Sequence, residues 1–86
     1  MMKEIVTINM DNGLEARPAA MLVQVANRYD SNLFIEVAEK MVNLKSIMGV
    51  MSLGLDNGEK VTLLADGSDE KAAIEGLCDF LTGATA

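Results

Sequence analysis

Short segments with the period of a strand alternate with segments that have the period of a helix, and this alternation most constrains the fold. Apolar residues recur at every second position in residues 5–10, 33–37 and 61–65, which is typical of half-buried strands. A fourth strand is predicted over residues 40–44. It follows the second strand so closely in sequence that we expect the two to form a hairpin.

Three segments have the spacing of an amphipathic helix, and they cover residues 16–27, residues 47–53 and a closing stretch after Asp69. Gly54 is expected to cap the end of the short central helix, and Ser68 or Asp69 to cap the start of the closing one. Gly76 costs the closing helix about 1 kcal/mol relative to alanine, which suggests a close contact with another helix. The longer apolar stripes consist of Ala19, Leu22, Val23 and Ala26 in the first helix and of Ala73, Ile74, Leu77 and Leu81 in the closing one.

The predicted order of elements is therefore β-α-β-β-α-β-α. Polar residues at the alternate strand positions leave one face of a sheet for solvent, and the helices are enough to cover the other face. These features predict an open-faced, two-layer α/β sandwich. A length of 86 residues favours one domain, residues 1–86, with a single modest core.

Composition excludes several function classes. The chain has no histidine and one cysteine, Cys78, so a cysteine-histidine dyad, a zinc cluster and an internal disulfide are excluded. We predict neither a metal nor a cofactor. The net charge of −6 argues against direct binding to nucleic acid. No apolar stretch approaches the about 18 residues of a membrane span and no signal peptide is evident, so we expect a cytoplasmic protein without membrane contact.

Residues 43–55, with the sequence NLKSIMGVMSLGL, contain the most informative local pattern. Ser46 precedes a short apolar run, where its side chain can cap the helix by accepting hydrogen bonds from first-turn amide groups. The same amide groups and the helix dipole stabilise an added phosphate, so Ser46 is either a plain cap, which is the commoner case, or a regulatory site. Val50 and Leu53 are expected to face the core. A second face of this helix consists of Ile47, Met48 and Met51. Methionine at a surface suits an adaptable contact with a protein partner.

Two motifs, GLEARPAA at residues 13–20 and NLKSIMGVMSLG at residues 43–54, resemble those of the HPr family of the bacterial sugar phosphotransferase system. The resemblance spans essentially the whole chain. It implies an α+β, HPr-like fold, in which three helices cover one face of a four-stranded antiparallel sheet as an open-faced β-sandwich. In the family the first motif reads GLHARPA, and its histidine carries a phosphoryl group from Enzyme I to the sugar permeases.

Glu15 stands where that histidine would be, so the resemblance implies neither a phosphocarrier nor an enzyme. The second motif is intact, and Ser46 falls on the serine that HPr kinase/phosphorylase modifies in low-GC Gram-positive bacteria. The chain thus resembles the histidine-lacking branch of the family in bacilli, which serves catabolite repression and usually has glutamine at this position. Glu15 is interpreted either as a carboxylate that stabilises the helix start or as a partial mimic of a phosphorylated histidine.

The resemblance also implies a partner-binding surface. The arginine that matches Arg17 helps bind the transferred phosphate in HPr relatives, and here we expect it to pair with phosphorylated Ser46 or with acidic groups of a partner. Lys45 and Lys40 add positive potential. The phosphorylated form is expected to be a corepressor of a LacI-type repressor such as catabolite control protein A. Two alternatives are a phosphocarrier that accepts phosphate on Glu15 and a phosphorylation-independent partner of a metabolic enzyme. The contact surface would be formed by Ile47, Met48 and Met51.

Overall fold

The computed structural model describes residues 1–10 and 16–83, and its elements follow the predicted order. They are β1 (Met2–Thr7), α1 (Ala16–Ala26), β2 (Asn32–Val37), β3 (Lys40–Asn43), α2 (Ile47–Met51), β4 (Lys60–Asp66) and α3 (Glu70–Thr82). The predicted alternation of strands and helices is therefore confirmed. None of the helices in the described ranges is long and apolar enough to cross a membrane.

The strands form an antiparallel sheet in the order β1-β4-β2-β3. β4 lies inside the sheet, where Val61 pairs with Val6 of β1 and Leu63 pairs with Ile35 of β2. β2 and β3 form the predicted hairpin. The last strand of the sequence thus lies between the first and the second. The sheet is complete only when distant parts of the chain have met.

Alternate strand residues and the helix stripes build one hydrophobic cluster. The stripes predicted for α1 and α3 are buried at all eight positions. α3 packs on β1 and β4, while α1 packs against both α3 and α2. On the other side of β1, Ile5 is 71% exposed, so none of the helices in residues 1–10 and 16–83 covers this face at β1. The predicted open-faced α+β sandwich is confirmed.

The first strand begins and ends earlier than the sequence predicts. Its ladder with β4 ends where Thr7 pairs with Lys60, so β1 is Met2–Thr7 rather than residues 5–10. Ile8 is still buried in the core, and its backbone N–H continues the pairing irregularly by donating to the carbonyl of Glu59 at 2.9 Å. The turn predicted at residues 11–13 lies outside the described residues.

The central helix is shorter than predicted. It ends at Met51, and the cap is Ser52, whose N–H donates to the carbonyl of Met48 at 3.0 Å. Gly54, the predicted cap, instead takes a positive φ of 58° two residues later, where the chain leaves the helix direction. The short length makes α2 dependent on its cap and on tertiary contacts, since isolated helices of this length are marginal in water.

Hydrogen bonds join the turn after α1 to the start of α3. The Asp69 carboxylate accepts from the backbone N–H groups of Asp30 and Ser31, both at 2.9 Å, and from the Ser31 hydroxyl. Of the two predicted caps, Ser68 and Asp69, it is Asp69 that occupies the N-cap position of α3, but its side chain makes no cap hydrogen bond. The hydrogen bond from the Ser31 hydroxyl is the main cause that lowers the pKa of the Asp69 carboxyl, and the bond from the Asp30 N–H is the next. Both donors favour the charged form of the carboxyl.

Gly76 lies where α3 meets the turn that follows α1. A side chain at this position would collide with the hydroxyl and ring of Tyr29. The close contact predicted from this glycine is confirmed, but the neighbour is the Tyr29 side chain rather than another helix.

Candidate functional site

Ser46 caps the start of α2. Its backbone is extended, with φ −110° and ψ 111°. Its Oγ accepts a hydrogen bond from the Gly49 N–H at 3.2 Å, and its carbonyl accepts from the Val50 N–H at 3.0 Å. The predicted cap is confirmed. Ser46 is also exposed, so its hydroxyl can be esterified without unfolding the helix that it caps.

The turn that presents Ser46 is held from two sides. The Asn43 side-chain oxygen accepts from the Lys45 N–H at 2.8 Å, and the Asn43 carbonyl accepts from the Ser46 N–H at 3.1 Å. The Lys45 ammonium donates to the carbonyl of Tyr29 at 2.7 Å, which ties this turn to the turn that follows α1. Sequence reasoning missed this last contact. Lys45 is thus a structural anchor as well as a source of positive potential.

Gly49 allows α2 to lie directly on the hairpin. A Cβ built at this position would be 2.5 Å from Cγ1 of Val42 on β3 and 3.4 Å from the Ser46 Oγ. A larger residue would therefore push α2 away from β3 and disturb the cap at the same time.

An apolar surface lies next to the cap. Met48 is 80% exposed, and its neighbours Ile47 and Met51 are 41% and 44% exposed. These three residues are called the Met48 surface below. Val50 on the same short helix is fully buried and Leu53 is half-buried, as predicted for the core-facing side. Exposed apolar side chains that cluster in this way are typical of protein interaction sites.

The charged residues predicted near the site are brought together only in part. Arg17 is exposed in the first turn of α1. α1 packs against α2, which is the helix that Ser46 caps. Lys45 precedes Ser46 and is half-buried. Glu15, the residue at the position of the family histidine, lies outside the described residues.

Cys78 on α3 is half-buried. Burial raises the pKa of the Cys78 thiol, and the nearby carboxylates of Glu4 and Asp79 raise it further. The reactive thiolate is therefore scarce at neutral pH. Among residues 1–10 and 16–83, no group of three or more potential ligands is arranged to hold a metal ion. The described part of the chain therefore presents an exposed capping hydroxyl beside an exposed apolar surface.

Fold and site together define a small open-faced sandwich that displays a capping serine beside an apolar surface. A family profile described as the phosphotransferase system HPr component phosphorylation site matches residues 2–83. The chain belongs to the HPr family.

Within the family, the chain is similar to the HPr-like protein Crh. It is 48% identical over 81 residues to Crh of Halalkalibacterium halodurans, covering 94% of this chain and 96% of that relative. It is also 48% identical over 81 residues to Crh of Bacillus subtilis, covering 94% of this chain and 95% of that protein. These similarities support an HPr-like regulatory protein of catabolite repression. Family members are phosphocarriers or regulators rather than catalysts.

Solved structures agree with this assignment. A crystal structure of the phosphocarrier protein HPr from Bacillus anthracis superposes with a TM-score of 0.90 at 45% identity, covering 93% of this chain and 95% of that chain. A crystal structure of Crh from Bacillus subtilis, described as a dimer with a swapping domain, gives a TM-score of 0.80 at 45% identity, with 100% and 99% coverage.

Proposed function

We propose that this chain is a regulatory HPr-like protein of one domain, residues 1–86, that acts in the cytoplasm in carbon catabolite repression. HPr kinase/phosphorylase phosphorylates it on Ser46. The phosphorylated form is a corepressor of a LacI-type repressor, catabolite control protein A. The observation that carries the proposal is an exposed Ser46 that caps α2 beside the exposed Met48 surface, in a chain without histidine.

Ser46 is better suited to modification than two other serines of the chain. Ser31 is 1% exposed and its hydroxyl donates to Asp69, so a kinase reaches it only after this contact breaks. The Ser52 hydroxyl donates to the carbonyl of Gly49 at 2.6 Å, at the C-terminal end of α2, where the helix dipole disfavours a phosphate. Mass mapping after kinase treatment should find phosphate on Ser46 alone. Phosphate on another serine would contradict this assignment.

A phosphate on Ser46 adds nearly two negative charges at the positive end of α2. The Gly49 N–H and the helix dipole stabilise that charge, so we expect the fold to stay nearly unchanged. The Lys45 ammonium is already engaged with the Tyr29 carbonyl. Arg17, which is exposed on the neighbouring helix, is therefore the better candidate to pair with the phosphate.

The partner reads both the phosphate and the Met48 surface. An exposed charge pair is worth under about 1 kcal/mol, whereas burying one apolar side chain gives about 1.5 to 3 kcal/mol. The phosphate then selects the partner and holds its register, while Ile47, Met48 and Met51 supply most of the affinity.

Phosphocarrier activity is not expected. Glu15 stands at the position of the family histidine, and the chain contains no histidine that could form a phosphoramidate. Enzyme I with phosphoenolpyruvate should leave the wild-type chain unlabelled. Glu15→His should restore labelling, since Arg17 and Pro18 are retained beside it. Stable label on the wild-type chain would instead favour an acyl phosphate on Glu15.

A second candidate function is phosphorylation-independent binding to a metabolic enzyme. The observation that favours it is that the Met48 surface is already exposed before any phosphate is added. If this candidate is right, unmodified protein should bind its partner as tightly as protein phosphorylated on Ser46.

Calorimetric titration of the purified repressor tests the proposal with three variants. Ser46→Ala should abolish kinase-dependent binding, and Met48→Asp should abolish binding even when Ser46 is fully phosphorylated. Met41→Asp is the matched control, because Met41 on β3 is 58% exposed but lies outside the Met48 surface. Phosphorylated Met48→Asp that binds as tightly as phosphorylated Met41→Asp would refute the role of the Met48 surface.

A further inference from the structure

A groove runs between α1 and α3, apart from the Met48 surface. It encloses about 520 Å³, which is within the range of small-molecule sites. On α1 its residues recur at the spacing of one helix face, and on α3 they are one turn apart. The groove is lined by Met21, Gln24, Val25, Arg28, Tyr29, Gly76 and Phe80.

Gly76 lets Tyr29 pack directly against α3 inside the groove. This glycine has no side chain, and the space that a Cβ would take is occupied by the hydroxyl and ring of Tyr29. Glycine inside a helix costs about 1 kcal/mol relative to alanine. What the chain gains at this position is an aromatic ring held against α3 in the lining of the groove.

The walls of the groove are apolar and adaptable. Met21 is 47% exposed, whereas Val25, Tyr29 and Phe80 are half-buried. Methionine conforms to ligands of different shapes because its side chain is unbranched and polarizable. A ring or a branched apolar group can therefore pack between Met21 and Phe80.

The polar groups of the groove favour an anion. The positive charge in the lining belongs to Arg28, and the uncharged amide of Gln24 and the hydroxyl of Tyr29 are its polar neighbours. A guanidinium recognises a carboxylate or phosphate through paired, charge-assisted hydrogen bonds. The net charge of −6 repels anions from the protein as a whole. Any preference for an anion must then come from this local arginine.

We propose that the groove between α1 and α3 binds a small organic anion, with an apolar ring or branched body against Met21 and Phe80 and a carboxylate or phosphate on Arg28. This site is independent of Ser46 and of the proposed repressor contact. It would make the protein a receptor for a metabolite as well as a target of a kinase.

An NMR titration with a matched pair of probes tests this proposal. The probes are 1-naphthylacetate and its uncharged analogue 1-naphthylacetamide, which share the ring and differ in charge. We expect the acetate to bind with a Kd of about 1 mM, typical for a ligand of this size. Amide shifts should be confined to residues 21–29 and 76–80. The acetamide should bind more weakly.

Two pairs of variants locate the binding energy. Arg28→Gln should weaken binding of the acetate about tenfold and leave the acetamide unaffected. Arg17→Gln removes the same charge from the first turn of α1, outside the groove, and should change neither. Met21→Gln should weaken both probes, whereas Met48→Gln, at a methionine that is 80% exposed elsewhere, should weaken neither.

Four results would overturn the proposal. These are no localised shifts up to about 10 mM of the acetate, shifts centred on the Met48 surface, equal affinity for the two probes, and equal loss of affinity in Arg28→Gln and Arg17→Gln. The last two would mean that the acetate responds to apolar burial or to general charge rather than to a site on Arg28. None of these results bears on phosphorylation of Ser46.

Discussion

The helices α2 and α3 are held to the same domain by different means. α3 has 13 residues and buries its stripe of Ala73, Ile74, Leu77 and Leu81. α2 has five residues, buries Val50 alone and leaves Met48 80% exposed. Burial thus stabilises α3, whereas α2 depends on the Ser46 cap, on Val50 and on the close approach at Gly49. A helix that contributes little to the core can present its apolar side chains to a partner.

The largest expected effect on stability comes from truncating one buried side chain of α3. Leu77→Ala removes a fully buried side chain and should lower the free energy of unfolding by about 2 to 5 kcal/mol. Urea unfolding followed by circular dichroism measures this loss. A loss below that of the Ser46 cap would show that α3 is not the better anchored helix.

The next effect concerns the anchor at the start of α3. The hydrogen bonds from Ser31 and Asp30 hold the pKa of Asp69 below its ordinary value of 3.8. A depressed pKa contributes stability that is present above the ordinary pKa and is lost as pH falls through the lowered one. Asp69→Asn should therefore have a lower thermal midpoint at neutral pH.

The difference between wild type and Asp69→Asn should shrink as pH is lowered from about 5 toward 2. Asp56→Asn is the control, because Asp56 is an exposed turn residue whose side chain makes no hydrogen bond to the described residues. A gap between wild type and Asp69→Asn that is constant with pH would mean that the charge of Asp69 does not matter.

A smaller loss is expected at the cap of α2. Ser46→Ala leaves the Gly49 N–H without its acceptor and should cost about 0.5 to 2 kcal/mol. Ser46→Asp keeps an acceptor at the cap and adds a charge favourable to the helix dipole, so it should be close to wild type. Urea midpoints separate the two variants. Equal losses in both would indicate that the cap is not what holds α2.

The smallest effect on stability is expected on the Met48 surface. Met48→Ala should change the free energy of unfolding by no more than about 0.5 kcal/mol, because the side chain is 80% exposed. The same urea experiment as for Leu77→Ala provides the measurement. A loss comparable to that of Leu77→Ala would show that Met48 is a core residue and would end the contrast between the two helices.

Sequence reasoning succeeded where the deciding contacts are local. The Ser46 cap was predictable because the Ser46 hydroxyl that accepts the hydrogen bond and the Gly49 N–H that donates it are only three residues apart. The buried stripes of α1 and α3 followed from helical spacing alone. The end of α2 was predicted too late because the apolar pattern continues to Leu53, whereas the helix ends at Met51.

Long-range contacts were not predictable in the same way. Asp69 is in the right place for a cap, yet its carboxylate accepts from Asp30 and Ser31, more than 35 residues earlier. The Lys45 ammonium binds the Tyr29 carbonyl 16 residues away. A single sequence contains no local signal for such pairs, because each depends on how two turns meet after the helices have packed.

By itself, the sequence determined the order of elements, the faces that they bury, the cap at Ser46 and the exposed side of α2. These features depend on periods of two and 3.6 residues and on hydrogen bonds within one turn. Only the tertiary structure decided that β4 lies inside the sheet, that Asp69 anchors the turn after α1, and that Gly76 and Tyr29 shape a groove. Each of these depends on which distant segments share a core, and that is settled by burial over the whole chain rather than by any one stretch of it.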